Sequence, residues 1–212
     1  MSRGSGEPRS HPDTSVRPAV PGDEGAIAAL QWEAWRALLT GEELAAQGLS
    51  EERLRAGWGA ALSSPRPASA ALVVALHGNS VVGFALVGPD DEAGAVSGQS
   101  GAAGGPPGAV RGQSGSAGDP PGVVPVQADG APAAAATQIY ELVVDPRFSR
   151  SGHGSRMLAA VADLVGGAMR VWIDARDEAR QRFFSSAGFA PAGAVRTIGD
   201  GHAQHLWWAR AE

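Results

Sequence analysis

The segment Val143–Leu158, VVDPRFSRSGHGSRML, limits what this chain can fold into more than any other stretch. An apolar run reads as a buried strand, and Pro146, which cannot donate to a ladder, stops it. Six residues later Gly152-His153-Gly154 opens a segment whose apolar positions Met157, Leu158, Val161, Leu164 and Val165 recur at helical spacing. A strand that turns at once into a helix bares amides at the helix N-terminus, where the dipole favours an anion. Glycines at 152 and 154 let a phosphate approach the backbone. A tight strand-to-helix turn without a ligand fits the same residues, and Gly-x-Gly alone does not separate the two. A P-loop is excluded, because the chain has no lysine, and a dinucleotide fingerprint would need a third glycine where Met157 stands.

The flanking sequence places this unit in an α/β domain with a mixed sheet. VRPAV from Val16 reads as a first strand, and Asp23 stands as an N-cap before Ile27, Leu30, Ala34 and Leu38, one apolar stripe. Ser50-Glu51-Glu52 starts a second helix, with Leu54, Trp58 and Leu62 at four-residue spacing. AALVVAL and VVGFALV follow as a hairpin joined by a four-residue His-Gly-Asn-Ser turn. QIYELVV and RVWID are strands on either side of the helix opened at Gly154, and DEARQRFFSSAG is a helix closed by Gly188. AVRTIGDGHAQHLWWAR reads as a last hairpin. The sum is about seven strands and about four helices.

Two segments lie outside this pattern. Residues 1–15 are polar and aperiodic, as expected of a disordered tail. Between about 89 and 136 the domain that runs from 16 to 212 is interrupted by a Gly/Ala/Pro-rich low-complexity insertion, in which GAVSGQSGAAGGPP is followed by GAVRGQSGSAGDPP. Its side chains are too small to offset the entropy of ordering.

A net charge of −5 argues against nucleic acid or an anionic membrane as the partner. The absence of cysteine removes disulfides and thiolate chemistry. No leader-like segment and no spanning run is read, so the cytoplasm is the expected location. No histidine or acid cluster has metal-ligand spacing.

Together, VVDPRFSRSGHGSRML and the later DEARQRFFSSAGF resemble the two motifs of the GNAT acyltransferase superfamily: an apolar strand, x-Pro and Gln/Arg-x-x-Gly-x-Gly/Ala, then Asn-x-x-Ala-x-x-Phe-Tyr-x-x-x-Gly-Phe. The resemblance implies a GNAT fold and transfer of an acetyl group from acetyl-CoA to a primary amine of a small molecule or peptide. It implies that Leu142, Val143 and Val144 lie where the fourth strand parts from the fifth and hold the pantetheine arm. Ser149, Arg150, Ser151, Gly152, His153, Gly154 and Ser155 would wrap the pyrophosphate, with His153 facing solvent or phosphate. Asp177 and Phe184 fall at the motif's Asn and Tyr, the latter proposed in many members to protonate the departing thiolate. Glu141 is the first candidate for the catalytic base, and Asp174 the second. Ser149, Arg150 and Phe184 depart from the family pattern and keep a rival reading open, a non-catalytic acyl-CoA-binding or interaction module. A homodimer is compatible with either.

Overall fold

The computed structural model describes residues 14–89, 136–198 and 202–210. The N-terminal tail through residue 13, the tandem repeat and the connection 90–135, and the tip of the last hairpin lie outside the described residues.

Seven strands form one mixed sheet in the order β1-β2-β3-β4-β5-β7-β6. They are β1 Thr14–Pro18, β2 Ala71–His77, β3 Ser80–Pro89, β4 Thr137–Val144, β5 Ala168–Asp174, β6 Ala190–Ile198 and β7 His202–Arg210. Among the described strands only β4 and β5 run parallel, with the α-helix His153–Val165 crossing between them as parallel strands require. Among the described residues five α-helices accompany the sheet: α1 Glu24–Arg36, α2 Gly41–Ala46, α3 Glu51–Ser63, α4 His153–Val165 and α5 Glu178–Ser186.

The sheet separates two cores. On one face α1 and α3 bury Ile27, Trp35, Leu54 and Trp58 against Leu72, Val74 and Phe84 of β2 and β3. Trp58 meets Phe84 edge to face, with ring centroids 5.5 Å apart. On the other face Met157, Leu158 and Val161 of α4 and Phe184 of α5 pack on Val73, Ala85, Val87, Ile139 and Ile173. Trp35 and Trp58 are therefore core residues.

The α/β class and the seven strands agree with the sequence reading, while several local expectations do not. The fifth helix, α2, carries only one buried residue, Leu44, and so leaves no apolar stripe; its start is marked instead by a capping box between Thr40 and Glu43. α1 ends at Arg36, leaving Leu38 76% exposed, and its buried face is Ile27, Ala28, Gln31 and Trp35. Asp23 precedes α1 but does not cap it. Its carboxylate takes two hydrogen bonds from Arg17, at 2.7 and 2.9 Å, and one from the Val20 amide, tying β1 to the helix start. β1 begins two residues earlier than Val16. His77 and Ser80 pair across the first hairpin, so its loop is the two residues Gly78-Asn79, with Gly78 at φ 60° as a tight primed turn requires.

Two irregularities set the geometry of the sheet centre. Leu86 of β3 pairs with Glu141 and Val87 with Ile139, which leaves Tyr140 as an extra residue in β4, a β-bulge. Further along, Gly83 faces Val144, and a Cβ on Gly83 would stand 2.7 Å from the Val143 carbonyl oxygen and 3.1 Å from Met157 Cε. That contact with backbone cannot be relieved by a rotamer change. Gly83→Ala is expected to destabilise the fold by about 1–3 kcal/mol, the usual cost of overpacking, read as a lower urea midpoint at unchanged slope.

Candidate active site

Hydrogen bonding between β4 and β5 stops early. Thr137, Gln138 and Ile139 pair with Met169, Arg170 and Val171, and beyond Ile139 the two strands diverge. Glu141 to Val144 thus keep β3 on one edge and, among the described residues, have no strand on the other. Backbone donors and acceptors along such an edge need partners, and an extended amide-bearing ligand can supply them as an added strand would.

The divergence opens into a cleft of about 670 Å³. Its β4 wall is Leu142 and Val144, whereas the Val143 side chain packs with the α1–α3 core. Ser149, Arg150, Gly152, Gly154 and Ser155 line one end. Asp145 accepts from the Arg147 amide and starts the 3-10 turn Pro146–Phe148 that carries the chain to this end. Gly152 then caps α4 at φ 78°. The first helical hydrogen bond runs from the Arg156 amide to the Gly152 carbonyl at 3.0 Å, so the amides of His153, Gly154 and Ser155 precede the internal ladder. Ser151 is exposed and off the cleft wall, and its carbonyl accepts from Arg156 at 3.3 Å.

The charged residues of the wall are Arg150, Arg180 and Arg182, with no carboxylate among them, although the chain is acidic overall. Such a wall suits a polyanion. Arg150 occupies a left-handed φ of 62°, which explains why glycine suits this position; for an arginine it costs about 1–2 kcal/mol. Gly154 has a second reason to be glycine, since a Cβ there would stand 3.1 Å from Phe183 of α5.

The structure refines the sequence reading of three residues. His153 does not face solvent: it is 1% exposed, its ring edge-on to His77 at 5.7 Å and Phe148 at 6.2 Å, and both ring nitrogens lack a partner among the described residues. Burial first, then the nearby His77 and Arg156, hold its pKa below the ordinary value. Asp177 lies off the cleft wall and caps α5 by accepting from the Arg180 amide at 2.9 Å. An acceptor is all that a cap requires, so aspartate in place of asparagine keeps that role. Phe184 lies at the inner wall but is fully buried between Phe183 and Phe189.

Glu141 lies at the head of the divergence. Strict alternation would put it on the face of Ile139; the bulge at Tyr140 turns it toward α1 instead, where Gln31 donates to its carboxylate at 3.3 Å. Gln31 is 1% exposed, and its own carbonyl oxygen accepts from Trp58 Nε1 at 2.7 Å. Indole nitrogen only donates, so it orients the Gln31 amide with its NH₂ toward Glu141. Burial pushes the Glu141 carboxyl above the ordinary carboxylate range, and the charge of Arg180 and the Gln31 hydrogen bond oppose that push. The second candidate, Asp174, is engaged by Arg176 through the amide at 2.8 Å and Nε at 3.3 Å. Sequence reasoning missed Gln31, Phe148, Arg180 and Phe183. For Arg180 a signal existed, since it falls on the alanine of the second motif.

Comparison with known proteins agrees with this geometry. Residues 27–189 match the model of the acetyltransferase (GNAT) family. The chain belongs to the GNAT acetyltransferase family. A search of curated protein sequences gives no match. Among solved structures the fold is similar to histone acetyltransferase HPA2 and related acetyltransferase from Corynebacterium glutamicum, with TM-score 0.58 and 17% identity over 94% of this chain and 97% of that one. It is also similar to yncA from Salmonella typhimurium, a structure with its cofactor acetyl-CoA, at TM-score 0.57 and 15% identity over 94% and 95% of the chains. A GCN5-related N-acetyltransferase from Kribbella flavida gives TM-score 0.57 and 15% identity over 93% and 98%. Among the described residues no group of three or more His, Asp or Glu could hold a metal ion, and no helix is long and apolar enough to cross a membrane.

The buried His153 makes stability depend on pH. Because its folded pKa is depressed, the unfolded chain binds the proton more readily, and stability falls as pH drops below about 6.5. His153→Phe, which keeps an aromatic ring, is expected to flatten the fall in Tm between neutral and mildly acidic pH.

Proposed function

We propose that this GNAT protein transfers the acetyl group of acetyl-CoA to a primary amine of a small molecule or peptide, by direct attack while both are bound. The carrying observation is Glu141, a carboxylate held by a buried amide at the point where β4 leaves β5. Bound there, acetyl-CoA supplies an activated acyl group on a thiol leaving group. The residues present fit it. The unpaired edge of β4 would bind the pantetheine amides, while the α4 amides and Arg150 would hold the pyrophosphate. A backbone amide at Val143 or Val144 would polarise the acyl carbonyl.

An alkylamine arrives as ammonium, with a pKa near about 10, and must lose a proton before it attacks. Glu141 takes that proton, directly or through one water. A carboxyl raised toward neutrality is a better match for this task than an ordinary one. The rival reading, coenzyme binding without turnover, draws support from Phe184, which carries no proton to give. Thiol release from acetyl-CoA against a panel of amines decides between them: tight binding with no release, unchanged by Glu141→Gln, would leave only the binding module.

Glu141→Gln should lower kcat/KM by about 10²–10⁴-fold and leave coenzyme affinity intact. It should also raise Tm at neutral pH. A carboxyl whose folded pKa is raised contributes stability at low pH and loses it as pH climbs through that value.

In the unmodified protein, kcat/KM should fall as pH drops through the raised Glu141 pKa, a limb above about 4.3. Gln31→Leu removes a hydrogen bond to the ionised form and should move that limb to higher pH, with Trp58→Phe moving it less because the amide stays and loses only its orientation. A limb that stays in place in both variants would remove Gln31 from the site.

A further inference from the structure

Arg180, in the first turn of α5, acts on Glu141 through its charge, and its Nε has no hydrogen-bond partner among the described residues. It lines the cleft, its Nε is buried, and its Cζ lies 5.7 Å from the centre of the Phe184 ring. A buried donor left unpaired costs about 1–3 kcal/mol, and the cleft wall offers it no carboxylate. Its partner is therefore expected to arrive with the ligand. Two departures from the second motif meet here: arginine at the alanine position and phenylalanine at the tyrosine position, the guanidinium lying over the ring. The other charged or titratable groups nearby are already placed. Glu141 comes from β4, His153 from the start of α4 and Arg150 from the preceding turn, while Arg182 is paired with Glu178 at 3.0 Å.

The inference rests on the acetyl-transfer reading. In that reaction an N–C bond forms, the C–S bond breaks with its electron pair going to sulfur, and the amine proton goes to Glu141. The sulfur is thus the atom that gains negative charge. We infer that Arg180 is a further catalytic residue, its guanidinium over the Phe184 ring and stabilising the coenzyme A thiolate as it leaves, so that no proton donor is needed at residue 184. A fixed cation acts strongly in a partly desolvated cleft, and a thiol near pKa 8.5 needs only modest help to leave as the anion.

The test is a pH titration of the thiol of coenzyme A bound to the full chain, followed by thiolate ultraviolet absorbance. The unmodified protein should bind it with a thiol pKa below about 8.5. Arg180→Ala and Arg180→Gln, the second keeping much of the side-chain bulk, should both return it to that value and lower kcat by about 10²-fold. Arg180→Lys should retain part of the shift. A bound thiol that titrates alike in the unmodified protein and both neutral variants would overturn the assignment. So would an equal loss of affinity for coenzyme A and for a nucleotide fragment lacking the pantetheine arm, which would place Arg180 on the phosphates. If coenzyme A fails to bind the unmodified protein, the functional reading falls and this one with it; if it binds with an ordinary thiol, only this one falls.

Discussion

The parting of β4 from β5 after three paired residues is the constraint on which the site depends. A continuous ladder would satisfy the backbone of Glu141 to Val144 and close the space between α4 and α5. Because it stops at Ile139, one strand edge stays available and the cleft exists. Gly83 secures the other side of the same segment: without a Cβ, β3 lies close enough to β4 to hold Val143 and Val144 even though β5 has left. The strand is thus supported along one edge and exposed along the other, which lets a ligand bind as a strand would without unfolding anything first.

Electrostatics in the site work against the net charge of the chain. The cleft wall collects guanidinium groups and excludes carboxylates, while the one acid at its head, Glu141, turns to the opposite face and is held by a neutral amide. The charge of Arg180 favours the ionised form of Glu141, and burial outweighs it. A glutamine oriented by Trp58 fixes the geometry with a smaller effect on basicity.

The parts legible in the sequence are those governed by backbone chemistry. Pro146 ends a strand, Gly152 takes a left-handed φ, and Ser50 caps α3 by accepting from the Arg53 amide; each is a local requirement that a residue type announces. The divergence of β4 was anticipated through family resemblance. What escaped was tertiary. Gln31 sits at the centre of a buried helix face, and a reading that follows apolar residues drifts past it to Leu30, Ala34 and the exposed Leu38. His153 between two glycines looks like a loop residue, yet as the first residue of α4 it is directed inward against His77, a residue 76 positions earlier. The bulge at Tyr140 leaves no mark in QIYELVV, because it arises from pairing with β3 and not from anything within β4.

That bulge gives β4 two alternation frames in eight residues. Ile139 in the first frame and Leu142 and Val144 in the second face the α4 side of the sheet, while Glu141 and Val143 turn to the α1 side. Here the two halves are separated by one residue. Leu142 and Val144 line the cleft and also pack against the core that holds Ile139, so variation at either would reshape what the cleft admits and change the packing under α4 together.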